Sequence, residues 1–385
     1  MTPPSQLPYL TADLPGTGGV LRAELEDFRV EELPAYPPTG EGEHVFAWIE
    51  KRGVNTIGAA RELARALGVS ERDVGSAGLK DRASVALQFL SFPPPVTPAA
   101  LLAASVPGVR VLSATPHPHK LRTGHLRGNR FALVLRRLSV PADEAAARAR
   151  AVLDRLLAPP GSPNWFGEQR FGAAGNNAGA GRALLDGGGR GRRGPGPRER
   201  RLLVSAYQSE LFNRYLRRRI EGGSYARVLS GDLLSLRRGG LFATTDPVTD
   251  QARLEAGELA PTGPMFGHKM RGPAADTDAA ALEQAILDEE GIVPADFRRL
   301  GKLAPGTRRP LAIAIEDVTV EALGDDAIRI GLALPSGAYA TSVLREIMKS
   351  EPAAAERPDP DDASGEDPDD DPEPANTGAA GAETR

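Results

Sequence analysis

Residues 77 to 91 read AGLKDRASVALQFLS, which sets one carboxylate, Asp81, between two cations, Lys80 and Arg82, just ahead of an apolar alternation. Neighbouring positive charge favours the ionised form of a carboxylate. Held in place, such a group can act as a nucleophile or can stabilise a cation as it develops. An isolated K-D-R triplet is also an ordinary charged turn. Other chemistries are harder to build from this chain. It has no cysteine, which excludes disulfides, thiolate nucleophiles and Cys-based metal sites. There is no G-x-x-x-x-G-K-[ST] phosphate loop and no G-x-S-x-G elbow, and GTGGV at 16–20 lacks the context of a dinucleotide fingerprint. No carboxylate in a comparable motif supplies a glycosidase-type pair. His117, His119 and His125, spaced H-P-H-x5-H without a nearby carboxylate, suit phosphate or backbone contacts better than a metal. Neither a metal nor a cofactor is expected.

Basic and aromatic residues interleave in three stretches. HPHKLRTGHLRGNRF carries His117, Lys120, Arg122, Arg127, Asn129 and Phe131; Arg190, Arg192, Arg193, Arg198, Arg200 and Arg201 form a second group; Arg214, Tyr215, Arg217, Arg218 and Arg219 form a third. Cations neutralise phosphates and aromatic faces receive bases, so these clusters fit an RNA-binding footprint and equally fit a solvated, arginine-rich surface. The charge is unevenly spread. Residues 351–385 hold 12 acidic side chains against 2 arginines, and since the whole chain carries −4, residues 1–350 carry +6. That tail is expected to be disordered, either as a solubilising extension or as a nucleic-acid mimic.

The elements that must position these residues alternate between the two periods. EHVFAWIEKRG reads as a strand, and NTIGAARELARALG as a helix capped by Asn55 or Thr56 and stopped at Gly68. Val85, Leu87 and Phe89 alternate as on a half-buried strand, which places Asp81 at a loop–strand junction. NRFALVLRRL is a further strand, and PADEAAARARAVLDRLL a helix with Pro141 in its first turn. From about residue 160 the texture changes; residues 187–196 read as a flexible basic loop, followed by the helix LLVSAYQSELFNRYLRRRI and by a helix over 277–290 capped by Thr277 or Asp276. Strand, strand and helix then return over 308–349. The fold class is α+β, with 385 residues allowing two domains and 41% hydrophobic content able to build their cores. A basic n-region, an apolar h-region and a spanning apolar run are all missing from the sequence, so a cytoplasmic location with no membrane association is expected. No coiled-coil heptads suggest self-association, and a monomer is expected.

Eight ordered segments resemble the TruD-type tRNA pseudouridine synthases: GVLRAELEDFRVEELP (19–34), GEHVFAWIEKRGVNT (42–56), SAGLKDRASVALQFLS (76–91), RGNRFALVLR (127–136), NWFGEQRFG (164–172), SAYQSELFN (205–213), TGPMFG (262–267) and LPSGAYATSVLREI (334–347). The resemblance implies a discontinuous catalytic domain, 1–157 with 304–350, built on a mixed or antiparallel sheet flanked by helices. An α+β TRUD insertion domain, 158–303, would interrupt it, and the acidic tail, 351–385, would follow. It further implies an isomerase that converts uridine 13 in the D arm of tRNA to pseudouridine, with Asp81 as nucleophile and the target base flipped out. Phe28 and Phe131 would stack on that base, Asn129 would bond its edge and Lys80 would hold the charge and orientation of Asp81. Arg22 stands where the family carries lysine and would contact RNA. His117, Lys120, Arg122, Arg127, Arg170, Arg192 and Arg193 would hold the tRNA, while the motif from Gly167 to Gly172 would shape the cleft floor. A non-catalytic RNA-binding or RNA-chaperone protein on the same scaffold is the alternative.

Overall fold

The computed structural model describes residues 7–172, 175–188, 194–237 and 239–350. Among them, a nine-stranded sheet takes its strands from both ends of the chain. These are β1 (Gly18–Leu21), β2 (Phe28–Pro34), β3 (His44–Arg52), β4 (Gly75–Ser76), β5 (Val85–Phe92), β6 (Val109–His117) and β7 (Leu126–Leu138), joined by the late strands β14 (Glu316–Leu323) and β15 (Ala327–Pro335). The order is β14-β15-β7-β2-β5-β3-β6, with β1 extending the β2 edge of β7 and β4 pairing with β5. Every neighbouring pair is antiparallel except β2 with β5.

One face of this sheet is buried twice over, by separate helical layers. α3 (Ala142–Leu157) and α8 (Ala340–Met348) cover Phe28, Val30, Phe131, Leu133, Ile330 and Leu332 at one end. At the other, α1 (Thr56–Leu67) and α2 (Pro98–Ala103) cover Val45, Ala47, Ile49, Leu90 and Phe92. Of the alternating set Val85, Leu87 and Phe89 on β5, Val85 alone is fully buried. Ala86, Gln88, Leu90 and Phe92 are fully buried, while Leu87 and Phe89 are only half-buried, because the helices pack on the even-numbered side.

α1 begins and ends where its sequence says it should. Asn55 caps it by accepting from the Gly58 N–H at 2.6 Å, and Gly68, at φ 69°, closes it in the left-handed conformation. Asn55→Ala is expected to lower stability by about 1 kcal/mol, read as a shift of the urea midpoint without a change in slope.

The rest of the chain builds a second layer system. Its strands are β8 (Ser162–Pro163), β9 (Leu233–Leu236), β10 (Leu241–Ala243), β11 (Leu259–Met265), β12 (Thr307–Pro310) and β13 (Ala312–Ile313), and its helices are α4 (Asn177–Leu185), α5 (Pro197–Glu221), α6 (Pro247–Glu255) and α7 (Asp278–Glu290). A four-stranded sheet runs β10-β9-β11-β12, and the short pair β8·β13 joins the outgoing chain to the returning one. Thr277, rather than Asp276, caps α7 through the Ala280 N–H. Sequence reasoning gave no helix at α4 because two of its nine residues are glycine. At Gly181 the reason is close packing: a Cβ there would stand 2.0 Å from the Leu203 carbonyl of α5. No helix among the described residues is long and apolar enough to cross a membrane.

Candidate active site

The candidate nucleophile lies on the loop between β4 and β5, over a strip of buried polar residues, Glu32, Lys51 and Gln88. Four buried polar groups fix that loop by its backbone. Thr56 Oγ1 accepts from the Lys80 N–H at 2.8 Å, and Gln88 Nε2 donates to the Gly78 carbonyl at 3.3 Å. Lys51 Nζ and Ser84 Oγ both donate to the Asp81 carbonyl, at 2.5 and 2.6 Å. Lys51 is fully buried beneath it. The main chain of Asp81 is thus held while its side chain remains 45% exposed, which suits a group that must reach a large substrate.

Among the described residues, neither flanking cation bonds the Asp81 carboxylate, contrary to the expectation for Lys80. Lys80 Nζ instead meets Glu32 Oε2 at 3.0 Å in a buried pair, and Arg82 Nε donates to the Gly53 carbonyl at 3.3 Å. Side chains adjacent in sequence point apart, and the partner comes from another element. Arg22, just after β1, places Nη2 2.7 Å from Asp81 Oδ2 and its guanidinium 4.0 Å over the Phe28 ring. Burial pushes the Arg22 guanidinium down from its usual value, and the Asp81 charge pushes it back up. Arg22 adopts φ 62°, a left-handed conformation that costs a non-glycine residue of order 1–3 kcal/mol and that clusters at functional sites. The turn it opens is anchored by Arg136 Nε, which donates to both oxygens of the buried Asp27 at 2.9 and 3.0 Å.

Phe28 and Phe131 come together, with their rings edge to face at 6.0 Å. Both are core members, 5% and 8% exposed, and Arg22 covers a face of Phe28, so neither offers a free stacking surface in this arrangement. β7 lies between β15 and β2 in the sheet, and these strands lie under α3 and α8, which buries the rings. Asn129 faces Glu32 across the β2·β7 ladder, and its Oδ1 is buried without a partner.

The sequence-predicted RNA contacts divide. Arg122 and Arg127 are exposed, and Lys120 is half-buried with Nζ on the Arg72 carbonyl at 2.8 Å. His117 is a correction: its ring is buried, 4.2 Å from Phe46 and 5.5 Å from Tyr36, because the end of β6 turns it inward. Burial, followed by the neighbouring imidazoles, lowers its pKa. Arg170 is likewise committed inward, bonding Ser205 and Ser209 on α5. Arg192 and Arg193 lie outside the described residues, as does the acidic tail. The third basic cluster is largely consumed by ion pairs: Arg214 with Glu290, Arg218 with Glu289, and Arg219 with Asp232.

Sequence reasoning missed Glu32, Lys51, Thr56 and Gln88. A signal for Glu32 was present, since in FRVEELP a period of two sets it on the same face as Phe28 and Val30.

The family model described as tRNA pseudouridine synthase D (TruD) matches residues 5–191 and 197–347. A tRNA pseudouridine synthase D from Anaeromyxobacter dehalogenans is 51% identical over 362 residues, covering 93% of this chain and all of that one. One from Thermus thermophilus is 41% identical over 366 residues, covering 94% and 98%. A solved structure named as a tRNA pseudouridine synthase D from Methanosarcina mazei superposes with a TM-score of 0.74 at 24% identity, covering 91% of this chain and 97% of that one.

Proposed function

The chain belongs to the tRNA pseudouridine synthase D (TruD) family and is a tRNA pseudouridine synthase, and we propose that it isomerises uridine 13 of the D arm with Asp81 as its nucleophile. The observation that carries the assignment of Asp81 is its setting: a carboxylate anchored by its backbone, open to solvent, and paired with a buried guanidinium. The reaction breaks the bond between ribose C1′ and uracil N1, forms one between C1′ and C5, and moves the proton from C5 to N1. It is an isomerisation, so no atom is gained or lost. When N1 departs, the electron-deficient ribose fragment needs an anion beside it, and the Asp81 carboxylate supplies one by charge or by bonding. Arg22 keeps that carboxylate aimed.

The target base must leave the stack to reach Asp81, at a cost of a few kcal/mol. Phe28 and Phe131 line the apolar floor beneath the site, with Arg22 between Phe28 and the base until it shifts, and Asn129 bonds the base edge. Arg122, Arg127 and Lys120, on and beside the β6–β7 connection, contact backbone phosphates. The division of the chain supports a cleft for the tRNA. The proposed division gives residues 1–157 and 304–350 to the catalytic domain and 158–303 to the TRUD insertion; the returning segment crosses that boundary, since β12 and β13 pair with the insertion strands β11 and β8 before β14 and β15 join the large sheet. A monomer in the cytoplasm is the working state.

Position is tested by mapping. Unmodified tRNA incubated with the protein should acquire a single carbodiimide-dependent primer-extension stop at nucleotide 13. A stop elsewhere would contradict the assigned position and leave the reaction class intact.

A further inference from the structure

Residues 7–17, ahead of β1, are fixed by polar groups to the helices of the large sheet. The buried carboxylate of Glu346 on α8 accepts from the Leu10 N–H at 2.8 Å and from the N–H and hydroxyl of Thr11 at 3.1 and 2.6 Å. Arg345 and Lys349 donate to the carbonyls of Leu7 and Thr11, and both lie over the Tyr9 ring. On α3, Arg148 donates to the Gly16 carbonyl at 2.8 Å and Arg155 pairs with Asp13 at 3.1 Å. The segment fits closely round the end of α8, since a Cβ on Gly16 would stand 2.6 Å from the Met348 carbonyl oxygen.

Toward the second layer system the same segment turns apolar side chains. Leu7 and Leu10 pack, half-buried, against the cluster of Trp165, Phe166, Phe212, Tyr215 and Leu311, whereas Leu10 and Leu14 pack against the cluster under α3 and α8. Leu10 therefore joins two cores. Ser342 Oγ donates to the Trp165 carbonyl at 3.3 Å and Arg309 Nη2 to the Gly337 carbonyl at 3.0 Å, both beside β8 and β13, where the chain crosses between the systems. The crossing segments form a hinge, and residues 7–11 add a link outside it.

The two sides of that link differ in kind. Hydrogen bonds and ion pairs keep it on the large sheet. Two half-buried leucines make a seat that can part and re-form without leaving buried polar groups unpaired. We propose that residues 7–17 are a latch, carried by the large sheet, that holds the second layer system in place through Leu7 and Leu10 and so keeps the cleft closed on tRNA. Its role toward tRNA rests on the proposed cleft; the latch itself does not.

The chain has no cysteine, so Ala103→Cys on α2 and Ala256→Cys after α6, both exposed, take one spin label on each side. Pulsed dipolar measurement on the labelled full chain should give a single narrow distance. Leu7→Ser, which loses packing on the second core, should add a longer population. Leu14→Ala, which loses packing on the first core instead, should lower the melting temperature and leave the distance single. tRNA should dissociate about three- to tenfold faster from Leu7→Ser than from the wild type. Thermal melts establish that each variant is folded. An unchanged distance in Leu7→Ser, or a second population in Leu14→Ala as well, would overturn the latch. An opened Leu7→Ser that releases tRNA at the wild-type rate would overturn its role in holding tRNA. A wild type that binds no tRNA would overturn the proposed cleft, while the distances still decide the latch.

Discussion

Asp81→Asn should form pseudouridine at least about 10⁴-fold more slowly than the wild type in a single turnover, with its Kd for tRNA within about twofold. The expectation follows from what the substitution leaves alone. Asn has the shape of Asp, and its backbone carbonyl still receives Lys51 Nζ and Ser84 Oγ, so the loop stays where it is. The amide oxygen can still accept from Arg22, which keeps its seat over Phe28. What disappears is the negative charge and the nucleophilic oxygen. A drop in rate accompanied by an equal drop in tRNA affinity would instead make Asp81 a binding residue.

Arg219→Met should destabilise the fold by about 3–5 kcal/mol, the largest stability effect expected from a single substitution here. Arg219 and Asp232 are both fully buried, with Nη1 2.8 Å from Oδ1. Arg219 also donates through Nε to the Ser224 carbonyl at 3.1 Å and through Nη2 to the Arg227 carbonyl at 2.6 Å, tying the end of α5 to the chain leading into β9. Asp232 in turn accepts from the Leu229 N–H at 2.8 Å. Removing the cation strands a buried carboxylate and two carbonyls. Urea denaturation should show a lower midpoint, and Arg219→Met/Asp232→Leu should recover part of the loss because no unpaired charge then remains. A single variant as stable as the wild type would show that water reaches this pair.

Arg219 also shows where the sequence was opaque. In the string RYLRRRI, four arginines look alike, and an RNA-binding surface and a set of internal ion pairs read identically. Their acidic partners, Asp232, Glu289 and Glu290, lie on elements that only the tertiary fold brings close. Local signals were the readable ones. The Asn55 cap, the Gly68 stop and the placement of Asp81 before a strand depend on residues within a few positions of each other, and all are present in the structure. The α+β class was legible for the same reason. Asp81 stood out because of its two cationic neighbours, yet its actual partner is 59 residues away. The helix α4 went unread, and its Gly181 serves helix–helix contact with α5.

Remaking the glycosidic bond at C5 expels the C5 proton, which exchanges with water as N1 takes one up, and we propose Asp81 as the attacking group. The most direct measurement is tritium release from tRNA labelled at C5 of its uridines, followed side by side for the wild type and Asp81→Asn. The wild type should release one equivalent per tRNA and Asp81→Asn none above background. Tight tRNA binding by both proteins with release by neither would contradict that expectation and favour a non-catalytic RNA-binding protein on this scaffold.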